Sequence, residues 1–438
     1  MHYQLYILEN GLRVIFVDTK TFPTMTTLLL VGAGSRYEDN KNNGVAHFFE
    51  HMAFKGSCKY PSSFVISSTI EGLGGIFNAF TAKDHTGYWI KGLNTHFETM
   101  IDVLADMVQN PLLLNEEINR EKGVITEEIN MYEDTPMKKI GELFEGLLYQ
   151  DNPLGFDIAG KKETVQLFNR LTFTNYIKNL YRPRNAVLVV AGGLNVGAKF
   201  ISPEKRAIQE SPLQKYLKLI EEKFNGWKND KRLLFKPIQE SQTKPQILIK
   251  YKKTEQAHFC LGFRAFGFND KRKYALSVLS AILGGGMSSR LFIQVRERRG
   301  LCYYISTGNE LYHDCGNIVT QAGVTNNLDK VKEAISVILK EHNKIIKREV
   351  TKNELKRAKE LIKGRLLLSL EDSANVASFF GTKKILQNKI ETPEEIIKKI
   401  EAVNIDKINK LARDIFKKSI LNFALIGPFK EEDFNGLF

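Results

Sequence analysis

The chain has 438 residues, too long for one ordinary hydrophobic core, so two or more domains are expected. Its hydrophobic fraction of 43% and charged fraction of 26% are those of a globular protein, and no run is apolar and long enough to span a membrane. The net charge of +13 does not point to nucleic acid, because the lysines are scattered among glutamates in helical segments such as NKIIKREVTKNELKRAKELIKGR and no basic arm carries interleaved aromatics.

The N-terminus, MHYQLYILENGLRVIFVD, reads as a strand, a turn at Asn10 and Gly11, and a second strand. It has no basic start, apolar run and small-residue cleavage site, so the cytosol is the expected compartment, or a chain already processed. Cys58, Cys260, Cys302 and Cys315 form no CxxC pair and are expected to be free thiols in a reducing compartment.

Next comes GVAHFFEHMAFKGS, residues 44–57. A helix is predicted from about Asn43–Gly44 to Gly56, where a left-handed C-cap is accessible. His47 and His51 lie four apart and therefore point the same way, and Glu50 shares their side. Every neighbour is apolar, so three unpaired ionisable groups there would be costly. Two imidazoles on adjacent turns can both reach one zinc ion at about 2.0–2.1 Å. The glutamate beside them is placed to take a proton from water activated by the metal. HxxEH is the inverzincin arrangement.

A catalytic zinc needs a third protein ligand and an open position. The candidate segment is NEEINREKGVITEEINMYEDTP. At about 100° per residue, Ile118, Ile125, Ile129 and Tyr132 form one stripe. Glu121 and Glu128 lie on one edge of it, within about 60° of its centre, while Glu127 faces the opposite side. Of the inward pair, one carboxylate can ligate while the other orients a ligand from behind.

The chain also repeats itself. RVIFVDTKTFPTMTTLLLVGAGSRYED, from Arg13, resembles QILIKYKKTEQAHFCLGFRAFGFND, from Gln246, and RNAVLVVAGGLN, from Arg184, resembles SILNFALIGPF, from Ser419. Each half is expected to be an α+β unit. The join falls between Asn195 and Gln246, first as a helical segment, PLQKYLKLIEEKFNGW, then as a charged, Pro-containing stretch suited to a linker. The expected domains are 1–220, a charged linker 221–245, and 246–438.

HxxEH followed, after seventy-six residues, by Glu128 resembles the pitrilysin and mitochondrial-processing-peptidase family of zinc endopeptidases. NGVAHFFEHMAFKGS, EGLGGIFNAFTAKDHTGYW and EKGVITEEINMYEDTP carry the resemblance, which covers the whole chain. It is greatest to the short two-domain members of this chain's size, 49.9 kDa. The resemblance implies two tandem α/β-roll domains forming a clamshell, and one zinc per chain held by His47, His51 and Glu128. It also implies Glu50 as general base and Glu121 supporting the ligands.

Residues 74–89, GGIFNAFTAKDHTGYW, alternate like a strand. The resemblance implies that the edge around Asn78 and Ala79 pairs with the substrate backbone, as β-augmentation. In LGGGMSSRLFIQVRERRGLCYYISTG a Gly-rich turn precedes a basic helix and an aromatic strand, with no Walker lysine. Here the resemblance implies that Arg296 and Tyr303 reach the scissile region and steady the developing oxyanion, so that domain closure completes the site. The long glycine-rich insertion of the processing peptidase's non-catalytic subunit is missing, since only Gly284 to Gly286 stand there.

The resulting expectation is a zinc metalloendopeptidase that encloses extended or unfolded peptides, working as a homodimer without nucleic-acid or membrane partners. The alternatives are a non-catalytic scaffold subunit of the same fold and a catalytic subunit that requires an inactive homologue.

Overall fold

A computed structural model describes residues 1–20, 22–194, 212–229, 233–387 and 389–437. In chain order the first elements are β1 (Gln4–Ile7), β2 (Arg13–Asp18), β3 (Thr24–Val31), α1 (Val45–Ala53), α2 (Ser63–Glu71), β4 (Ile76–Thr81) and β5 (Thr86–Leu93). Five helices follow: α3 (Phe97–Gln109), α4 (Asn115–Glu133), α5 (Pro136–Leu148), α6 (Lys162–Leu167) and α7 (Arg170–Leu180). Next are β6 (Ala186–Gly192), α8 (Pro212–Phe224), β7 (Gln246–Tyr251), β8 (Gln256–Phe266) and α9 (Lys273–Gly284). A π-helical turn (Phe292–Glu297) leads to β9 (Cys302–Leu311), β10 (Cys315–Thr325), α10 (Leu328–Ile346), α11 (Lys352–Ser369) and α12 (Ser373–Leu386). The chain finishes with α13 (Pro393–Glu401), α14 (Ile405–Ile415) and β11 (Leu421–Gly427).

Two compact units result. The first comprises Met1–Ile129, Asp157–Phe235 and Leu368–Thr392, and the second Asn130–Phe156, Lys236–Leu367 and Pro393–Phe438. The first sheet has the order β1-β2-β6-β3-β5-β4 and the second β7-β11-β8-β10-β9. Strand for strand, β2 to β6 correspond to β7 to β11, so the internal repeat is a repeat of topology. In both, the strand that ends the half slips between the two that open it: β6 runs parallel to β2 and antiparallel to β3, and β11 likewise with β7 and β8.

Each unit takes one helix from the other half of the sequence. In the first unit α12 lies on β3 and β6, so tightly that a Cβ on Gly381 would stand 2.4 Å from Leu30 Cδ1. In the second unit α5 lies on β11, β8 and β7, and a Cβ on Gly262 would stand 2.9 Å from Phe144 Cζ. Both faces are thereby covered at the centre of each sheet, which explains why β6 and β11 are buried along their whole length.

Residues 195–211 and 230–232, part of the join between the halves, lie outside the described residues. Within the rest of that stretch α8 packs on α3, and Phe224 and Trp227 are buried in the first core. From 233 to 245 there is no regular structure. Among the described residues Cys58, Cys260, Cys302 and Cys315 form no disulfide with one another. Among the described residues no helix is long and apolar enough to cross a membrane.

Candidate metal centre

The site grows from α1. Its apolar residues Val45, Ala46, Phe48, Phe49, Met52 and Ala53 are all buried, and the aromatic rings of Phe48 and Phe49 pack on Phe173 and Tyr181. Only His47, Glu50 and His51 keep partial access to solvent. The helix entry is unusual, because Gly44 has φ of 98° and no side chain of its own to cap with. Glu38 caps instead: its carboxylate accepts from Gly44 N and Asn43 Nδ2 through Oε2, and from Ala46 N through Oε1. Burial pushes the Glu38 carboxyl up to about 8, against the pull of those three donors and Lys83.

The helix ends at Ala53, short of Gly56, because Phe54 N and Lys55 N turn back to the carbonyls of His51 and Met52 in a tighter last turn. Lys55 is thereby brought to the same side as His51.

Glu121 and Glu128 come from α4. Glu121 is 2% exposed, Glu128 is half-buried and Glu127 faces solvent, in agreement with the helical stripe. His47 Nε2 stands 3.3 Å from His51 Nε2 and 3.5 Å from Glu128 Oε2, and His51 Nε2 stands 3.6 Å from the same oxygen. A tetrahedral ion with arms of about 2.0–2.1 Å needs its ligand atoms about 3.3–3.4 Å apart. The three atoms therefore form a near-equilateral face of the size zinc requires, and the residues fit the metal. The side chains keep 12%, 23% and 25% of their surface exposed, which leaves the open side reachable.

The surroundings set each ligand's state. Burial, with His51 nearby, lowers the pKa of His47 to about 3 and keeps it neutral, as a ligand must be. His51 Nδ1 lies 2.8 Å from Glu121 Oε1, and Lys55 Nζ lies 2.5 Å from Glu121 Oε2. Burial alone would depress His51, but the hydrogen bond and charge of Glu121, with Glu128 and Glu50, outweigh it and raise its pKa. Burial likewise raises Glu121, yet His51 and Lys55 overcome it and leave this carboxylate below its ordinary range. With Nδ1 engaged by Glu121, His51 presents Nε2 to the side it shares with His47 Nε2 and Glu128 Oε2.

Burial raises the pKa of Glu50, and the Thr81 hydroxyl, donating to Oε2 at 2.6 Å, opposes that shift. Thr81 belongs to β4. Residues 74–89 form a hairpin, β4 and β5, where the sequence reads as one alternating strand: Ala82 N bonds His85 O across a two-residue turn. Asp84 in that turn is tied to the buried Arg36 at 2.8 Å, which pins the hairpin.

Asn78 and Ala79 lie on β4, the edge strand of the first sheet. Arg296 and Tyr303 lie together in the second unit. The Arg296 guanidinium is 5.9 Å from the Tyr303 ring centre, Arg296 has no ion-pair partner among the described residues, and Tyr303 is 74% exposed.

Lys55, Thr81 and Glu38 escape the sequence reading. Lys55 is four after His51 and Thr81 two after Ala79, so helix and strand periods could have flagged both; Glu38 leaves no local signal. A cavity of about 390 Å³ elsewhere in the first unit, lined by Lys59, Asp102, Lys178, Lys223 and Trp227, contains none of the site residues. Lys178 and Lys223 sit in the last turns of α7 and α8, where they offset the helix dipoles.

Family models for the insulinase domain, peptidase family M16, and for the peptidase M16 inactive domain match residues 13–162 and 211–362. The chain is 34% identical to the uncharacterized zinc protease YmxG of Bacillus subtilis, over 97% of this chain and 98% of that one. It is 31% identical to the uncharacterized zinc protease SCO5738 of Streptomyces coelicolor, over 97% and 89%. Among solved structures, a protease from Helicobacter pylori superposes with a TM-score of 0.88 at 23% identity, covering 98% of this chain and all of the other. A peptidase M16 inactive domain from Pseudomonas fluorescens gives 0.85 at 18% identity, over 98% and 99%. With a relative this similar along nearly its entire length, the chain belongs to peptidase family M16, the insulinase family.

Proposed function

We propose that this protein is a zinc-dependent endopeptidase acting on extended or unfolded peptides, with its reaction centre on α1 and α4. The observation that carries this reading is the triangle of His47 Nε2, His51 Nε2 and Glu128 Oε2, with edges of 3.3, 3.5 and 3.6 Å, beside a carboxylate that is not part of it. Zinc bound there would supply Lewis acidity, polarising the scissile carbonyl and easing deprotonation of water.

The rest falls to the chain's own residues. Glu50 takes the proton of the attacking water and delivers it to the leaving amine. Its Oε2 is engaged by Thr81, which leaves Oε1 for that transfer. Glu121, locked by Lys55, keeps His51 in the tautomer that ligates through Nε2. The β4 edge binds the peptide backbone, and Arg296 with Tyr303 offers a cation and a phenol suited to a peptide carbonyl. The proposed active species is a homodimer of this chain.

The test is digestion of a peptide library by the pure, zinc-loaded chain, read by mass spectrometry beside a chelator-stripped sample and with the assembly state sized. Cuts that vanish on stripping and return with zinc are expected. A zinc-loaded chain that cuts nothing would sink the reading, and activity that appears only with an added homologue would replace its homodimer part.

A further inference from the structure

The hairpin register shows which backbone groups β4 has left to offer. Ala82 N bonds His85 O at 2.8 Å, and in an antiparallel ladder bonded pairs alternate with unbonded ones. Counting back from that closing pair, Phe80 with Gly87, Asn78 with Trp89 and Ile76 with Lys91 spend their backbone groups on β5. Those of Phe77, Ala79 and Thr81 point the other way, to the edge that no described strand covers. An independent contact agrees: the Ala79 N–H donates to Asn78 Oδ1 at 2.9 Å, which an N–H bonded into β5 would not do.

Side chains alternate on the same period, so Phe77, Ala79 and Thr81 also share one face of β4. That face meets α1 and its exit. The Phe77 ring packs on Phe54 with centroids 5.5 Å apart, Ala79 is buried, and the Thr81 hydroxyl donates to Glu50 Oε2 at 2.6 Å.

We infer that Thr81 is a positioning residue that couples peptide docking to the general base. Its backbone belongs to the open edge beside Ala79, while its hydroxyl fixes the carboxylate that handles the proton. This rests on the peptidase reading above. A peptide strand added to the edge pairs with Ala79 and Thr81 rather than with Asn78, whose backbone is already engaged, and displaces the Asn78 carboxamide from the Ala79 N–H. Pairing then restrains the residue that aims Glu50, so a docked substrate meets an oriented base.

Because valine matches threonine in shape and keeps the backbone edge, Thr81→Val removes only the hydroxyl. In the zinc-loaded full chain, on a quenched peptide that the wild type cleaves, kcat should fall about 10- to 100-fold, as loss of a hydrogen bond to a charged group implies. KM should stay within about twofold and zinc stoichiometry should be unchanged, since neither the edge nor the ligands are touched. Thr81→Ser, which restores the hydroxyl, should recover kcat to within about threefold; if the valine chain does not fold, Thr81→Ala serves in the same comparison. Parental kcat in Thr81→Val, a rise in KM alone, or a serine variant as impaired as the valine one overturns the coupling. Failure of the wild type to cleave any peptide would strike the peptidase reading itself, and this inference with it.

Discussion

Replacing Lys55 by methionine removes the charge that holds Glu121 from behind while keeping the length of the side chain. The Lys55 Nζ–Glu121 Oε2 pair is 2.5 Å long, with the lysine side chain 25% exposed and the glutamate 3%. Exposed pairs contribute at most about 1 kcal/mol, and breaking a fully buried pair costs about 3–5 kcal/mol. A half-covered pair falls between, at about 2 kcal/mol. Glu121 loses one of the two partners that offset its burial, so its carboxylate drifts toward the protonated form and becomes a poorer acceptor for His51 Nδ1. Loss of such a supporting group weakens metal binding about 10- to 100-fold. Competition against a fluorescent zinc chelator at pH 7 measures it on the full chain. Lys55→Met should show that loss and Lys55→Arg most of the wild-type affinity. A methionine variant within about twofold of the wild type would show that Lys55 does not support the metal ligands through Glu121. The pH dependence has a definite sign. Glu121 is depressed in the folded chain, so its stabilising contribution is present above the unfolded carboxylate value and lost as pH falls through the folded one. In Lys55→Met that loss should begin at a higher pH.

Further predictions concern other parts of the molecule. His342 is 4% exposed and stacked on Phe416 with centroids 4.2 Å apart, and burial lowers its pKa to about 3. The unfolded chain takes up this proton below about pH 6.5 while the folded chain does not, so stability drops as pH falls through that range. Between pH 7 and 5.5, urea unfolding of the metal-free wild type should lose about 1 kcal/mol more than that of His342→Phe, and parallel profiles would disprove the assignment. Gly44→Ala forces a side chain into φ of 98° and places its Cβ 2.8 Å from Ala159 O and 2.9 Å from Gly160 Cα. It should cost about 2 kcal/mol or more in denaturant and weaken zinc binding, and an unchanged midpoint would contradict it. Arg296→Ala should lower kcat/KM at least about tenfold with zinc content unchanged, since a charged hydrogen-bond donor to the carbonyl would be lost; parental kinetics would remove Arg296 from the site.

The parts that could be read in advance are those governed by local periodicity. The HxxEH helix announces itself because three polar groups share one face of an otherwise apolar segment, and Glu121 and Glu128 separate from Glu127 by simple helical angles. The repeat was visible in the paired openings at Arg13 and Gln246 and the paired endings at Arg184 and Ser419. Long-range order was not. Nothing local tells β6 to insert between β2 and β3, or α12 to cover the sheet of the other half; Gly381 acquires its meaning only when Leu30 and Val189 are beside it. The hairpin at 82–85 was hidden because its turn, Lys83–Asp84, lacks glycine and is held by the distant Arg36. Phe224, Trp227 and Phe235 pack into or against the first core from a stretch whose charge and proline content suggest a solvated linker.

In the proposed reaction Glu50 performs acid–base chemistry beside a zinc held by His47, His51 and Glu128. Glu50→Gln replaces one carboxylate oxygen by an amide nitrogen and leaves all three ligands in place, so zinc content and cleavage can be measured on the same preparation. One zinc per chain is expected in both proteins, with peptide cleavage falling at least about a hundredfold in the variant. A glutamine variant that holds its zinc and cuts the peptide at the wild-type rate would contradict it.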